Sequence, residues 1–285
     1  MMVYLNDSLV PLGEAKVPVT DRGFLYGDGV FETMRARRGR VFRLRAHLGR
    51  LRRGLEVLGI ELERTGEALA DAIREVLEAN RLSEAAVRLT ITRGTGGTRL
   101  DTEGCDAPTL FIQATRFAPH AEQIYQQGFS AVTLPGLVND RSPLSGIKSL
   151  NRLEHILARR EAARAGVDEA LLGDREGLVV EAAASNVFAT RSDIVITPPV
   201  EAGALPGITR ACVLDLLRER GVVVREEPLP LGGGGAGAFA EAWLTNSLMG
   251  VMPLTKVDGT PVGVPGVVTS GLRGAYERLL RVETN

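Results

Sequence analysis

A repeat of leucines at helical spacing, followed by a strict two-residue alternation, most constrains how this chain can fold. The leucines predict one helix that ends at Gly59, and a second helix follows around Ile73. Residues 87–92 then alternate between apolar and polar side chains, which is typical of a strand with one buried face. The first part of the chain therefore combines helices with strands. The helical repeat consists of Leu44, Leu48, Leu51, Leu55 and Leu58.

Residues 117–127 show no periodicity, and this break predicts a connection between two domains. A length of 285 residues is sufficient for two modest domains. We expect an N-terminal α/β domain at 1–118, the connection at 119–128 and a C-terminal domain at 129–285. In the C-terminal domain the pattern predicts helices at 153–166, at 206–221 and near the end of the chain, and strands at 129–134, 169–172, 178–182, 186–189, 194–197 and 242–244.

The composition excludes several functions. The formal net charge of −1 gives no basic surface for nucleic acid, and no apolar run is long enough to cross a membrane. The N-terminus lacks the pattern of a secretory signal, so we expect a cytoplasmic protein. His47, His120 and His155 are too scattered to form a metal site, and we expect Cys105 and Cys212 to be free thiols.

Lys148 is the first candidate for chemistry. It lies between Ile147 and Leu150, just before a run that favours a helix. Apolar neighbours remove water from an ammonium group and lower its pKa, which makes the neutral, nucleophilic amine accessible. Such an amine can form a Schiff base with an aldehyde cofactor. Most lysines are exposed, however, so Lys148 considered alone is a surface residue near a helix start.

Two arginines and one helix start are candidates for binding anions. Arg50 flanks the leucine stripe, where an arginine either extends along the surface or reaches into a cleft as an anion clamp. Arg88 belongs to the alternating strand and faces away from Leu89, toward solvent or a polar cavity. The helix that Pro206–Arg210 opens presents unpaired N–H groups, a natural site for phosphate. Gly232–Gly235 lack the ending of a nucleotide-binding loop, so we predict a flexible linker there.

Five motifs follow one another along the chain. They are Tyr26-Gly27-Asp28-Gly29-Val30-Phe31-Glu32, His47-x-x-Arg50-Leu51, Ile147-Lys148-Ser149-Leu150-Asn151, Glu181-x-x-x-Ser185-Asn186-Val187-Phe188 and Leu205-Pro206-Gly207-Ile208-Thr209-Arg210. In this order they resemble the fold-type-IV enzymes that use pyridoxal phosphate. This family includes branched-chain and D-amino-acid aminotransferases and aminodeoxychorismate lyases. The resemblance extends from Tyr4 to about Tyr276.

The resemblance implies a fold, a cofactor and a set of residues that hold it. The fold is two α/β (α+β) domains, an N-terminal open sandwich and a C-terminal pseudo-barrel. Lys148 matches the lysine that forms the internal aldimine with pyridoxal 5′-phosphate and then moves the proton. Glu181 matches the carboxylate that faces the pyridine nitrogen and keeps it protonated. The other residues implied to bind the cofactor are Arg50, Ser185, Asn186, Leu205, Ile208, Thr209 and Ser247. Of these, Leu205 is as well explained as a core residue.

Substrate residues follow from the same resemblance. Arg88 matches a position that faces the substrate, where a guanidinium could bind a carboxylate through two hydrogen bonds. Arg99, in a glycine-rich loop, resembles the substrate arginine of D-amino-acid aminotransferases, although the match requires an inserted residue. Tyr26, Thr33 and Leu248 complete the expected substrate site.

The motifs divide between two reactions. Ile147–Asn151 and Leu205–Arg210 resemble the aminotransferases, whereas Asn151-Arg152-Leu153-Glu154 and residues 245–250 resemble the lyases. We expect an aminotransferase that acts on an amino acid, of the D or branched-chain type, or on an R-amine, together with a 2-oxo acid. The alternative is a 4-amino-4-deoxychorismate lyase that makes 4-aminobenzoate and pyruvate. A third alternative is a non-catalytic binding protein with this fold. The resemblance also implies a homodimer.

Overall fold

The computed structural model describes residues 1–105, 107–232, 235–263 and 266–285. Its α-helices are α1 (Arg22–Tyr26), α2 (Leu44–Leu58), α3 (Gly66–Ala79), α4 (Glu122–Gln127), α5 (Leu153–Arg164), α6 (Ile208–Glu219) and α7 (Val267–Glu283). Its strands are β1 (Met2–Leu5), β2 (Ser8–Pro11), β3 (Gly29–Arg37), β4 (Arg40–Val41), β5 (Glu84–Thr92), β6 (Thr109–Arg116), β7 (Phe129–Leu134), β8 (Glu169–Gly173), β9 (Val179–Ala182), β10 (Asn186–Arg191), β11 (Ile194–Thr197), β12 (Val223–Glu226), β13 (Glu241–Asn246), β14 (Gly250–Val257) and β15 (Thr260–Pro261).

The chain forms two compact units. The first contains Met1–Ala118, Ile147–Asn151 and Leu280–Asn285, and the second contains Pro119–Gly146 and Arg152–Leu279.

The first unit is built on a six-stranded antiparallel sheet in the order β2-β1-β6-β5-β3-β4. The alternation in β5 follows the sheet's two faces, because Val87, Leu89 and Ile91 are fully buried while Arg88 is half-buried. Thr33 of β3 is directly opposite Arg88, so these two side chains share a face of the sheet.

Helices α2 and α3 form the core of the first unit with the other face of the sheet. Helix α2 ends at Gly59, whose φ of 61° is left-handed and whose N–H donates to the carbonyl of Glu56. Helix α3 begins after Thr65, whose hydroxyl accepts from the N–H of Ala68 at 3.1 Å. The buried side chains of this core include Val30, Met34, Leu48, Leu51, Leu55, Leu69, Ile73, Val76, Leu77, Val87, Leu89 and Ile91.

The second unit is built on a nine-stranded sheet whose main path is β12-β11-β10-β13-β14-β7-β8-β9, with β15 paired to β14. The pairs β11–β12, β14–β7 and β7–β8 are parallel, and the other pairs are antiparallel. The two ends of this path approach each other, since the N–H of Val179 in β9 donates at 3.0 Å to the carbonyl of Leu229, just beyond β12. The sheet is therefore a half-barrel, which confirms the expected fold class.

The structure differs from the sequence prediction in several segments of the second unit. Residues 122–127 form helix α4, although residues 117–127 were expected to be an irregular connection. Strands β12, β14 and β15 were not predicted. In the predicted linker Gly232–Gly235, residues 233 and 234 lie outside the described residues, while Gly235 begins a short 3-10 helix.

The position of Lys148 also differs from the expectation. We expected it in the domain 129–285, whereas the structure groups Ile147–Asn151 with the first unit. The physical reason is that this segment forms main-chain hydrogen bonds to β3.

In the part of the chain that the structure describes, no helix is long and apolar enough to span a bilayer.

Candidate active site

Backbone pairing with β3 fixes the segment that carries Lys148. The N–H of Phe31 donates to the carbonyl of Lys148 at 3.0 Å, and the N–H of Leu150 donates to the carbonyl of Gly29 at 2.9 Å. A β-carbon at Gly29 would lie 2.4 Å from the carbonyl oxygen of Ile91, so only glycine allows β3 and β5 to approach this closely. The main chain at Lys148 is thus held by the sheet of the first unit.

Lys148 shares an aromatic ring with a second cation. Its side chain is half-buried between the buried residues Ile147 and Ser149, and Nζ lies 4.6 Å from the centre of the Phe31 ring. The guanidinium carbon of Arg88 lies 4.0 Å from the same ring centre. Both distances are typical of cation–π contacts. The structure therefore brings two of the predicted residues, Lys148 and Arg88, to one phenyl ring.

Arg88 is the more buried of the two predicted substrate arginines. Burial lowers the pKa of its guanidinium, because water is partly removed from the cation. An arginine nevertheless remains charged in proteins, so Arg88 is a half-buried cation beside Thr33 and Phe31. A carboxylate is the ligand that best complements such a group.

Arg50 forms an ion pair with a buried carboxylate that the sequence did not suggest as its partner. Its Nε donates to Oε1 of Glu32 at 2.8 Å, and its Nη2 donates to Oε2 at 2.7 Å. Nδ1 of His47 lies 2.7 Å from the same Oε2. Burial alone would raise the pKa of Glu32, but the hydrogen bonds from Arg50 and His47 outweigh burial and hold that pKa at about 2.

The loop that carries Arg99 is attached to the first unit through its backbone. Arg22 donates to the carbonyl of Arg99 at 2.8 Å, and the hydroxyl of Tyr26 donates to the carbonyl of Thr98. The Arg99 side chain is exposed, with its Nε 2.8 Å from Asp101. Tyr26, the last residue of α1, thus anchors the loop that carries Arg99, and the guanidinium of Arg99 contacts a carboxylate of that loop.

In the second unit, Glu181 lies at the centre of a small polar cluster. Its Oε2 accepts from the N–H of Leu205 at 2.9 Å, and its Oε1 lies 3.4 Å from Nε2 of His155. That imidazole nitrogen is in turn 2.8 Å from Nη1 of Arg152. Glu181 is 8% exposed. One oxygen of the Glu181 carboxylate therefore accepts a backbone hydrogen bond, and the other lies close to the imidazole of His155.

The start of α6 is held close to the beginning of β10. The side-chain amide of Asn186 donates to the carbonyl of Leu205 at 2.8 Å, and a β-carbon at Gly207 would lie 1.9 Å from its Oδ1. Gly207 has no side chain with which to cap the helix, so the backbone N–H groups of Ile208 and Thr209 begin α6 without a cap from that residue. This is the form of helix start that binds phosphate.

The remaining predicted cofactor residues, Ser185 and Ser247, lie next to strands of the sheet in the second unit. Ser185 precedes β10 and is buried, and its hydroxyl lies 3.5 Å from Glu169. Ser247 and Leu248 occupy the turn between β13 and β14, and both are half-buried. Oδ1 of Asn246 accepts from the N–H of Leu248 at 3.0 Å, which fixes the shape of this turn.

Sequence reasoning missed three side chains that contact the predicted residues, Glu32, His47 and His155, and a fourth, Arg152, that contacts His155. Glu32 and His47 were read only as parts of motifs, and Arg152 and His155 were not considered as partners of Glu181. A signal for Glu32 existed, because it stands between Val30 and the other core-facing positions of β3. A charged residue at such a position requires buried partners.

Comparison with known proteins identifies the family. The family model for class IV amino-transferases matches residues 29–257, which is well over half of the chain. The chain therefore belongs to the class IV aminotransferases.

Two curated relatives cover essentially the full length of the chain. A Methanocaldococcus jannaschii protein, provisionally named a branched-chain-amino-acid aminotransferase, is 40% identical over 97% of this chain and 96% of its own. The D-alanine aminotransferase of Bacillus licheniformis is 32% identical over 100% of this chain and 99% of its own.

Solved structures of two activities share the fold. The branched-chain amino acid aminotransferase of Escherichia coli superposes with a TM-score of 0.92, is 28% identical and covers 100% of this chain and 96% of its own. The 4-amino-4-deoxychorismate lyase of Pseudomonas aeruginosa superposes with a TM-score of 0.84 at 28% identity, over 97% of this chain and 98% of its own.

Proposed function

We propose that this protein is a pyridoxal-phosphate-dependent aminotransferase that moves an amino group between an amino acid and a 2-oxo acid. The observation that carries the proposal is the half-buried amine of Lys148, fixed to β3 by its backbone and placed on the Phe31 ring. Membership of the class IV family supports the reaction type. The relatives support an amino acid of the branched-chain or D type as the substrate.

The residues that the motifs indicate carry groups that suit the parts of this cofactor chemically. We assign Lys148 to the aldehyde, Glu181 to the pyridine nitrogen, and Arg50 with the helix start at Ile208 and Thr209 to the phosphate. Further contacts are assigned to Ser185, Asn186, Leu205 and Ser247. When bound, pyridoxal 5′-phosphate supplies an aldehyde for an amine and a ring that accepts electrons from the substrate Cα–H bond.

The residues of the chain then perform distinct tasks. Lys148 takes the proton from the substrate Cα and returns it later in the reaction, as general base and then general acid. Glu181, anchored by the N–H of Leu205, presents an anion that favours a protonated ring nitrogen. Arg88 binds the substrate carboxylate, and Tyr26, Thr33 and Leu248 shape the substrate site. Arg99 is assigned a second carboxylate contact, which would require it to leave Asp101.

The lyase reaction is the second candidate. Asn151-Arg152-Leu153-Glu154 resembles the lyases, and the superposition on the Pseudomonas aeruginosa lyase is close. In that reaction the same Lys148 would remove a proton so that pyruvate is expelled and the ring of the substrate becomes aromatic. Conversion of aminodeoxychorismate to 4-aminobenzoate, without any transamination, would favour this candidate over the first.

The resemblance of the motifs also supports a homodimer. Helix α5 exposes a stripe of three apolar residues at helical spacing, Leu153, Ile156 and Leu157. Such a stripe is consistent with a covered surface between two copies.

The sequence contains three lysines, Lys16, Lys148 and Lys256. Peptide mapping can therefore identify the lysine that binds the cofactor. Borohydride reduction of the purified holoenzyme followed by peptide mapping is expected to label Lys148. Lys256→Ala is the matched control and should leave the label unchanged, because Lys256 is exposed. Labelling of Lys16 or Lys256 instead, or a protein with no visible cofactor absorbance, would contradict the proposal and favour a non-catalytic binding protein.

The substrate is identified by half-reactions on the unreduced holoenzyme, because borohydride blocks both Lys148 and the cofactor. D-Alanine, L-leucine and (R)-1-phenylethylamine are each mixed with the holoenzyme, and the change in cofactor absorbance is recorded. We expect one of them to convert the cofactor to its amine form, and 2-oxoglutarate or pyruvate to restore the aldehyde form.

A further inference from the structure

The loop between β5 and β6, which carries Arg99, is fixed through its backbone. Its sequence includes four glycines, so the segment has little conformational preference of its own. Three successive carbonyls of the loop nevertheless accept hydrogen bonds from side chains of α1. Nη1 of Arg22 donates to the carbonyl of Arg99 at 2.8 Å, and Nη2 donates to that of Leu100 at 3.4 Å. The hydroxyl of Tyr26 donates to the carbonyl of Thr98.

Arg22 reaches this loop from a fixed position. Its Nε donates to Oδ2 of Asp28 at 3.0 Å, and its guanidinium carbon lies 4.9 Å from the centre of the Tyr26 ring. The side chain of Arg22 is 4% exposed and that of Asp28 is 13% exposed, so little water screens the pair. The hydrogen bond to Asp28 raises the pKa of the Arg22 guanidinium. All three nitrogens of this guanidinium therefore donate within the first unit.

A second arginine connects Asp28 to the end of α2. Nε of Arg93 donates to Oδ2 of Asp28 at 2.7 Å, and Nη2 donates to Oδ1 at 3.1 Å. The same guanidinium donates to the carbonyls of Leu58 at 2.7 Å and Gly59 at 3.0 Å, where the helix itself provides no partner. Burial would raise the pKa of Asp28, but the hydrogen bonds from Arg93 and Arg22 outweigh burial and lower it.

The start of α1 is fixed by another buried carboxylate. Asp21 is 0% exposed, and its side chain accepts from the N–H of Gly23 at 2.7 Å. It also accepts from the hydroxyls of Thr92 at 2.9 Å and Thr109 at 2.7 Å, which end β5 and begin β6. The base of the loop and its carbonyls 98–100 are thus both tied to α1. The loop takes its position from α1 and α2 and not from its own sequence.

We propose that Arg22 is a positioning residue that holds residues 98–100 where Tyr26 and Arg99 meet the substrate carboxylate, and that Asp28 and Arg93 fix Arg22. The proposal rests on the proposed function, because it takes the substrate from there. It adds that recognition of the substrate depends on a buried cation that acts through the loop. Release of the loop should therefore weaken substrate binding and leave the chemistry at Lys148 in place.

Trypsin cleavage after Arg99 measures how firmly the loop is held, because Arg22 donates to the carbonyl of the bond that trypsin cuts. Arg22→Lys keeps the charge but loses the planar fork that reaches Asp28 and two carbonyls at once. We expect cleavage of the holoenzyme after Arg99 to become at least about tenfold faster, as is typical when hydrogen bonds to a charged donor are lost. Mass spectrometry of the fragments 1–99 and 100–285 gives the rate.

Two references separate a local effect from a global one. Arg53→Lys makes the same change at an exposed arginine of α2 and should leave the rate unchanged. Cleavage after Arg175, in the exposed turn between β8 and β9, is followed in the same digest and should change by less than about twofold in Arg22→Lys. Equal acceleration at both bonds would show that the whole chain is destabilised, and it would overturn the positioning role.

Asp28→Asn provides a second variant. Asparagine keeps the size and one acceptor oxygen of the aspartate but loses its charge, so Arg22 loses its ionic partner. Cleavage after Arg99 should again become faster, while cleavage after Arg175 should not. This variant carries the test if Arg22→Lys does not fold.

Steady-state kinetics test the role in substrate binding. With whichever of D-alanine or L-leucine converts the cofactor, Arg22→Lys should raise KM at least about fivefold and change kcat by less than about twofold. The increase should exceed that for Arg99→Lys, which leaves the loop in place. An unchanged KM beside faster cleavage would overturn this role. So would an enzyme that accepts only (R)-1-phenylethylamine, because that substrate has no carboxylate.

The outcomes separate this inference from the proposed function. Equal rates of cleavage after Arg99 in the wild type, Arg22→Lys and Asp28→Asn would overturn the positioning role while Lys148 could still be labelled. Failure to label Lys148 would contradict the proposed function itself, and the cleavage rates would still decide whether Arg22 holds the loop.

Discussion

At the scale of single residues, Glu32 should make the free energy of unfolding depend on pH. Its pKa in the folded protein is about 2, below the ordinary value of 4.5, so ionised Glu32 stabilises the fold above pH 4.5. That contribution is lost as the pH falls from 4.5 toward 2, and it is on the order of 3 kcal/mol. The lowered pKa of His47 acts in the same direction, because protonation of a buried neutral imidazole also favours unfolding.

Chemical denaturation over this pH range measures the effect. The free energy of unfolding of the wild type should fall toward that of Glu32→Gln as the pH decreases, so that the difference between them shrinks. A difference that stays constant with pH would show that Glu32 does not titrate in this way.

The two predicted substrate arginines should respond differently to the same substitution. Arg88 is half-buried over Phe31, whereas Arg99 is exposed and paired with Asp101. Lysine keeps the charge but loses the planar fork that binds a carboxylate through two hydrogen bonds. We expect Arg88→Lys to raise KM for the amino acid by about tenfold, and Arg99→Lys to change it little. Steady-state kinetics would contradict this assignment if the order were reversed.

At the scale of secondary-structure elements, the approach of β3 to β5 should tolerate only glycine at position 29. The β-carbon of Gly29→Ala would lie 2.4 Å from the carbonyl oxygen of Ile91, a backbone atom that cannot rotate away. We expect a loss of about 1–3 kcal/mol in unfolding free energy, together with weaker fixation of Lys148, since Leu150 donates to the Gly29 carbonyl. Gly13→Ala, where no atom lies within 4 Å, is the control. Equal stability of the two variants in chemical denaturation would contradict this account.

Elements with their own periodicity were predictable, and those that depend on distant partners were not. The leucine repeat predicted α2 and its end at Gly59, and the alternation predicted the buried face of β5. Helix α4 has only six residues, too few to show a helical period. Strand β12 pairs in parallel with β11, three of its four residues are exposed and the fourth is half-buried, and only two of the four are apolar, so neither a buried face nor an alternation marks it.

Among the residues of the candidate site, those within local motifs were also predictable, and their distant partners were not. Family motifs indicated Lys148, Arg50 and Glu181 because they are local in sequence. Their partners were not predicted, because a hydrogen bond such as that between Arg50 and Glu32 joins residues 18 positions apart. Periodicity also could not show that Lys148 joins the first unit, since its pairing with β3 spans more than 100 residues.

At the scale of the whole molecule, the proposed homodimer should depend on the exposed apolar stripe of α5. Ile156 lies in the middle of this stripe with 60% of its surface exposed, and Leu153 and Leu157 flank it. A charge placed within a buried apolar interface is strongly unfavourable, because it loses its water without gaining a partner. Ile156→Glu should therefore shift the protein from dimer to monomer, as measured by light scattering after size-exclusion chromatography.

Val282 provides the matched control for this prediction. It is also apolar and exposed, at 72%, but it lies on α7 rather than on the stripe. Val282→Glu should remain dimeric, because single exposed apolar residues are normal on protein surfaces. If both variants keep the mass of the wild type, α5 is not part of the interface. If the wild type is itself a monomer at micromolar concentration, the homodimer proposal fails, because the stripe is then exposed in the native protein.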